Sequence, residues 1–357
     1  MANLLDLIRY SRSKDASDIH LVVGLPPAMR INGEISMIKA NPLSPDLLKT
    51  LIYDLLTDVQ KEHFEREKEL CFSIDDDQSG RVRITVYYHW GRPELSVRLL
   101  PLEISDAGSL GIPPVLTEKA RLQNGLILIT GPTGMGKSTT LNYLVDQINR
   151  ERRCKIVTIE DPVEFVHKPI KSIVIQQEVY LDALSFPRAL VHVLRQNPDV
   201  IVIGEMRELE TISTALTAAE TGHLVLATLH TPNVMQTMER VTSVFPPDQQ
   251  KLVVLQLANC LQCIVAQDLV PRANRQGRVL AYEVLIANAA VRTLIRDSKS
   301  HMLQNVLATS RKEGMISMDM CLLDLYQKAT ISYDTALTRL RDPSLLTGGY
   351  RGAQETE

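Results

Sequence analysis

The chain has 357 residues, 39 Lys plus Arg against 42 Asp plus Glu, 45% hydrophobic residues and 4% aromatics, a globular composition with room for about two domains. Disorder over most of the chain is excluded. A formal net charge of -3 argues against a surface built as a whole to hold nucleic acid, which is therefore a disfavoured partner.

In chain order, the apolar spacing from Leu4 to Tyr10 fits a short amphipathic helix, and Ile19 to Val23 reads as a strand entering the Gly24-Leu25-Pro26-Pro27 turn. Met29 to Ile31 and Glu34 to Ile38 pattern as a hairpin about Asn32-Gly33, because Asn-Gly takes the positive φ angles of a tight turn. Leu47 to Leu56 follows as a helix, and Arg81 to Tyr88 and Leu95 to Leu100 as strands, giving a mixed α+β unit over residues 1–103. Gly108, Gly111 and the Pro113-Pro114 pair then break the pattern, so residues 104–116 read as a linker.

Beyond it, short apolar strands alternate with longer helical segments. Leu126 to Thr130, Ile156 to Ile159, Val200 to Ile203 and Leu224 to Thr228 have the rhythm of a buried, largely parallel sheet, an α/β core over residues 117–281. After Leu280 the pattern turns helical, giving a helical region over residues 282–345, and residues 346–357 read as a polar, frayed tail. The start carries no signal-like segment and no apolar run approaches the ~20 residues that cross a bilayer, so a soluble protein is expected. Cysteines at 71, 154, 260, 263 and 321 lack the dense spacing of a disulfide scaffold and suit a reducing cytosol. Cys260 and Cys263 form a C-x-x-C inside the helix-like stretch Leu252 to Val265, with no second pair nearby. Packing on helical faces is the expectation there, and zinc is not.

Gly131-Pro132-Thr133-Gly134-Met135-Gly136-Lys137-Ser138 fits the phosphate-loop pattern, with an apolar strand before it and a helix-compatible run, Thr139 to Ile148, after it. Glycines let backbone N–H groups converge on phosphate, and the new helix adds its positive end. ATP and Mg²⁺ are the implied ligands: Lys137 for the β and γ phosphates, Ser138 for Mg²⁺, Thr139 for a further phosphate contact. Glu160 and Asp161 end the next strand, and Val200–Ile203 runs through Gly204 into Glu205, a Walker B form with Gly204 where the usual Asp would stand. Glu205 is therefore the group expected to polarise the attacking water, directly or through Mg²⁺, with Glu160 supporting it. His223 and His230 bracket one strand; they could sense the γ phosphate or be structural.

These motifs resemble those of the secretion-type hexameric ATPases of type IV pili and type II secretion, most closely the pilus retraction (PilT/PilU) family. The resemblance runs from Ser17-Asp18-Ile19-His20-Leu21 to about Leu325. It is most specific in the phosphate loop, in Thr158 to Phe165 (similar to the family's Asp box), in Gly204 to Thr211, and in Ala218 to Thr231 (similar to its His box). It implies a PAS-like N-terminal domain, a RecA-like P-loop core and a homohexameric ring with nucleotide between subunits. Arg81, Arg83 and Arg98, which by themselves read as a strand's solvated face, would match family arginines that close on a nucleotide. Arg195 matches an arginine on the helix before the Walker B strand, and Arg207 the one after its glutamate.

The family implies cytoplasmic work at the inner membrane, pulling pilins from a pilus through a platform protein. The lack of a long N-terminal extension and of a two-pair cysteine insert favours the retraction branch, and Ala290-Val291-Arg292-Thr293-Leu294-Ile295-Arg296 resembles a stretch associated with retraction. Departures fall at Val191, at Gln196-Asn197-Pro198-Asp199 and along Val86 to Trp90. Two other functions are weighed against the motor. One is an accessory ring of low activity coupled to a second pilus ATPase. The other is a nucleic-acid translocase, whose affinity would fall steeply with salt.

Overall fold

The computed structural model describes residues 3–348 apart from 32, 77, 79 and 105. The chain divides into two compact units, Met1–Glu103 with Glu164–Val166, and Ile104–Val163 with His167–Glu357.

The first unit contains α1 (Leu4–Arg12), β1 (Ala16–Leu21), β2 (Ala28–Ile31), β3 (Glu34–Met37), α2 (Pro45–Tyr53), α3 (Asp58–Glu67), β4 (Glu69–Asp76), β5 (Gly80–His89) and β6 (Arg92–Leu99). Its antiparallel sheet has the order β3-β2-β1-β6-β5-β4. Period-two alternation sends Val82, Ile84 and Val86 of β5 inward, where they join Leu7, Ile8, Leu48, Ile52 and Phe64 from the three helices in one core. The same alternation leaves Arg81 and Arg83 on the opposite, polar face. The hairpin β2–β3 forms as its spacing predicts, although Asn32 itself lies outside the described residues. Helix α3 and strand β4 are further elements that the sequence pattern does not predict. The helix starts at a capping box, Thr57 with Gln60.

The second unit opens with α4 (Ala107–Leu110) and α5 (Pro114–Lys119). There follow β7 (Gly125–Thr130), α6 (Lys137–Glu151), β8 (Lys155–Glu160), β9 (Ile173–Glu178), α7 (Phe186–Val193), β10 (Val200–Ile203), α8 (Leu209–Glu220) and β11 (Leu224–Leu229). Then come α9 (Val234–Ser243), α10 (Pro247–Cys260), β12 (Leu261–Pro271), β13 (Arg278–Ile286), α11 (Ala289–Arg296), α12 (Leu303–Thr309), α13 (Met318–Gln327), α14 (Tyr333–Arg339) and α15 (Ser344–Gly348). The seven-stranded sheet has the order β13-β12-β7-β11-β10-β8-β9, parallel except for β13. Strands β7, β10 and β11 are buried along their whole length, which is why each reads as an unbroken apolar run. This is a RecA-like P-loop core with an α+β unit before it.

The structure departs from the sequence pattern in three places. The stretch Leu252 to Val265 is not one helix: α10 stops at Cys260 and β12 starts at Leu261, so Cys260 ends a helix and Cys263 lies within a strand. Burial pushes both thiols up to about 12. The chain does not turn helical after Leu280, because β13 runs to Ile286 and the next helix begins at Ala289. Residues 344–348 are helical, with Leu346 buried beside Leu322 and Ile331 in a small apolar cluster; the rest of the expected tail lies outside the described residues.

Candidate active site

The turn between β7 and α6 is the phosphate loop, and its backbone explains its glycines. Gly131, Gly134 and Gly136 have φ of 144, 81 and 80°. A Cβ on Gly131 would lie 2.5 Å from the Gln267 carbonyl of β12, so the loop packs against that strand only without a side chain. Gly136 caps α6 without any side-chain bond, which leaves the first N–H groups of the helix to an anion. Lys137 is buried, and its Nζ donates to the carbonyls of Gly131 (2.8 Å) and Pro132 (3.0 Å). Ser138 and Thr139 follow on the first turn, half-buried and exposed.

Strands β7, β11 and β10 are neighbours and parallel, so Lys137, His230 and Glu205, each just past a strand's C-terminal end, share one sheet edge. His230 Nε2 lies 2.8 Å from Glu205 Oε1, and Nδ1 lies 3.3 Å from Thr133 Oγ1 and 3.4 Å from Lys137 Nζ. Arg207 Nε donates to the same Glu205 oxygen. Burial, then the charges of Lys137 and Arg207, lower the His230 pKa against the opposing pull of Glu205. The neutral ring therefore carries its proton on Nε2, donating to Glu205, and accepts at Nδ1. Glu160 ends β8, one strand further along, where its buried carboxylate accepts from Thr158 Oγ1 (2.6 Å) and Gln176 Nε2 (3.1 Å).

Residues 93–329 match the family described as Type II/IV secretion system protein. The type IV pilus retraction ATPase PilT of Pseudomonas aeruginosa is 40% identical over 96% of this chain and 99% of its own. The type IV pilus ATPase PilU of the same organism is 37% identical over 93% and 87%. This chain belongs to the PilT/PilU family of secretion ATPases. A crystal structure of the pilus retraction motor PilT with bound ADP superposes with a TM-score of 0.91 at 41% identity, covering 98% of this chain and 100% of that one.

Not every residue matched to the PilT/PilU motifs reaches this edge. His223 precedes β11, where its Nδ1 bonds the Ala218 carbonyl and its own carbonyl accepts from Gly125 N–H at the start of β7. The whole of β11, roughly 20 Å at about 3.3 Å per residue, separates it from His230. Arg195 lies on the 3-10 turn Leu194–Gln196 before β10, again at the opposite edge. Both therefore lie at the opposite edge of the sheet from the phosphate loop of their own chain, and within one chain neither joins Lys137, His230 and Glu205.

Arg81, Arg83 and Arg98 lie in the first unit. Arg83 and Arg98 are cross-strand neighbours; Arg98 Nε donates to Asp18 (3.0 Å), Arg83 Nε lies 3.1 Å from Cys71 Sγ and Arg81 pairs with Asp75 (2.9 Å). Like charges side by side on a sheet repel, and Asp18 offsets this on one flank. A further contact had no signal in the sequence: Arg278, on β13, donates to the Gly134 carbonyl at 3.3 Å.

Proposed function

We propose that this chain hydrolyses ATP with Mg²⁺ at the β7-β11-β10 edge and turns hydrolysis into the force that retracts a type IV pilus. The Lys137–His230–Glu205 chain of contacts carries the reading. The uncapped start of α6 and the glycine cradle fit a phosphate chain, and the Ser138 hydroxyl at the end of the loop is the group that would hold Mg²⁺. Mg²⁺, when bound, neutralises phosphate charge.

The chain's own groups do the rest. Lys137 exchanges the loop carbonyls for phosphate oxygens, a charge-assisted bond stronger than the one it gives up. Glu205 orients the attacking water, and neutral His230 fixes that carboxylate through Nε2–H while its Nδ1 faces Lys137. Arg207 balances the Glu205 charge and is placed to follow charge that develops on the phosphates.

The working form under this reading is a homohexameric ring in the cytoplasm, docked on an inner-membrane platform protein. Arg81, Arg83 and Arg98 of one subunit serve the nucleotide of the next. Among the described residues no helix is long and apolar enough to cross a membrane. The test is ATPase rate against protein concentration, with oligomeric mass recorded, for wild type and Glu205→Gln. Specific activity should rise as rings form, and the substitution should remove it while ATP still binds. Rings that bind ATP but hydrolyse no faster than the variant would overturn the motor in favour of an accessory ring.

A further inference from the structure

Strand β12 pairs with β7 as far as Ala266, opposite Thr130, and Gln267–Pro271 run on past the end of β7. This overhang walls one side of the phosphate loop. The Gln267 carbonyl closes on Gly131, Leu269 flanks Gly136, and Leu269 N–H donates to Met135 Sδ at 3.3 Å. The chain then turns and returns as β13, whose first residue, Arg278, stands opposite Pro271. That register carries its guanidinium to the tip of the loop, where Nη1 meets the Gly134 carbonyl at 3.3 Å.

Gly134 has nothing within 4 Å of where a Cβ would project, so the tip is open there. Glu205 and His230 approach the loop from the other flank, since β11 and β10 lie on one side of β7 and β12 and β13 on the other. A phosphate chain seated in the loop turns its reacting end toward Glu205, so its nucleoside end leaves on the side of β12 and β13. A single long bond to a neutral carbonyl is a weak rest for an exposed guanidinium, whose fork suits phosphate oxygens far better.

We propose that Arg278 is a nucleotide-binding residue that leaves the Gly134 carbonyl to hold the phosphate at the nucleoside end. The assignment rests on the ATP reading above. Because the contact lies away from the γ phosphate, ATP and ADP gain from it alike.

The experiment is calorimetric titration of the full chain with Mg-ADP and with a non-hydrolysable Mg-ATP analogue, for wild type, Arg278→Ala and Arg278→Lys. The alanine variant should lose about ten-fold in affinity for both nucleotides, the worth of one charged hydrogen bond, and lysine should recover part of it. The melting temperature without nucleotide should not move. Unchanged affinities in Arg278→Ala, or a loss confined to the ATP analogue, would overturn the assignment. Wild-type protein that binds neither nucleotide would instead sink the ATP reading, and Arg278 with it.

Discussion

Gly204 sits where β10 hands over to Glu205, and its N–H donates to the Ile159 carbonyl at 2.8 Å, holding the ends of β10 and β8 together. A Cβ there would lie 3.1 Å from that same carbonyl oxygen and 3.3 Å from the Cα of Glu160. A side chain here would fit only if the ends of β10 and β8 gave way by a few tenths of an ångström, a steric cost set against the usual Walker B aspartate. Gly204→Ala should cost about 1–3 kcal/mol by overpacking. Gly204→Asp should cost more, since it adds a carboxylate between Glu160 and Glu205. Urea unfolding of the two variants checks the order, and a Gly204→Asp protein as stable as wild type with raised turnover would refute it.

Helix α11 shows how one element can fix another's end. Its apolar residues Val291 and Ile295 are buried, Asn288 caps it by accepting from Val291 N–H at 2.9 Å, and Arg292 reaches across to the C-terminus of α10. There the guanidinium donates to the carbonyls of Ala258 (2.5 Å), Asn259 (2.6 Å) and Leu261 (2.7 Å), orphan acceptors at the very point where helix gives way to β12. Burial lowers the Arg292 pKa, a cost to the cation that its carbonyl acceptors oppose. Arg292→Ala should therefore destabilise the core by about 1–3 kcal/mol, whereas Arg296→Ala, at an exposed site, should stay within about 0.5 kcal/mol. Thermal unfolding separates them. A pilus defect in Arg296→Ala with full stability would assign the motif's external contact to that residue. The α10–β12 junction also marks where reading by pattern stops. Strands β7, β10 and β11 declare themselves as short apolar runs closed by Gly or His, but no Gly or Pro marks the junction of Cys260 with Leu261, and periodicity cannot tell a buried strand from a buried helix turn. Lys137, Ser138 and Glu205 were legible because each sits in a local motif at a strand's end. His223 and His230 share one motif, yet only strand direction decides which of them meets the loop. Arg278 could not be read at all, because sheet order rather than sequence distance makes it a neighbour of Gly134.

At the scale of the whole molecule, the site depends on a core that tolerates one buried histidine only in its neutral form. His167 lies in the connection between β8 and β9; its Nε2–H donates to Asn142 Oδ1 at 3.0 Å and its backbone N–H to Gln176 Oε1 at 2.8 Å, tying that connection to the helix that follows the phosphate loop. Burial lowers its pKa to about 4, against a small opposing pull from Asp146. The folded value lies below the unfolded one of 6.5, so between them the unfolded chain binds a proton that the native chain refuses, and stability rises with pH across that window. Its stabilisation is complete above pH 6.5 and is lost on acidification toward 4. The gap between the two values corresponds to about 3 kcal/mol, a large share of the ~5–15 kcal/mol that holds a domain. His230, lowered in the same direction, adds to the slope in this window, whereas Glu151, held below its usual range by its hydrogen bond to Arg121, acts only below about 4.5. Urea unfolding of the full chain between pH 8 and pH 4 should show a plateau above neutrality and then a fall. His167→Gln, which keeps a donor for Asn142 but cannot titrate, should be less stable at pH 8 and visibly shallower below 6.5. An unchanged slope in that variant would move the acid sensitivity elsewhere, with the His230 side of the phosphate loop the next group to replace.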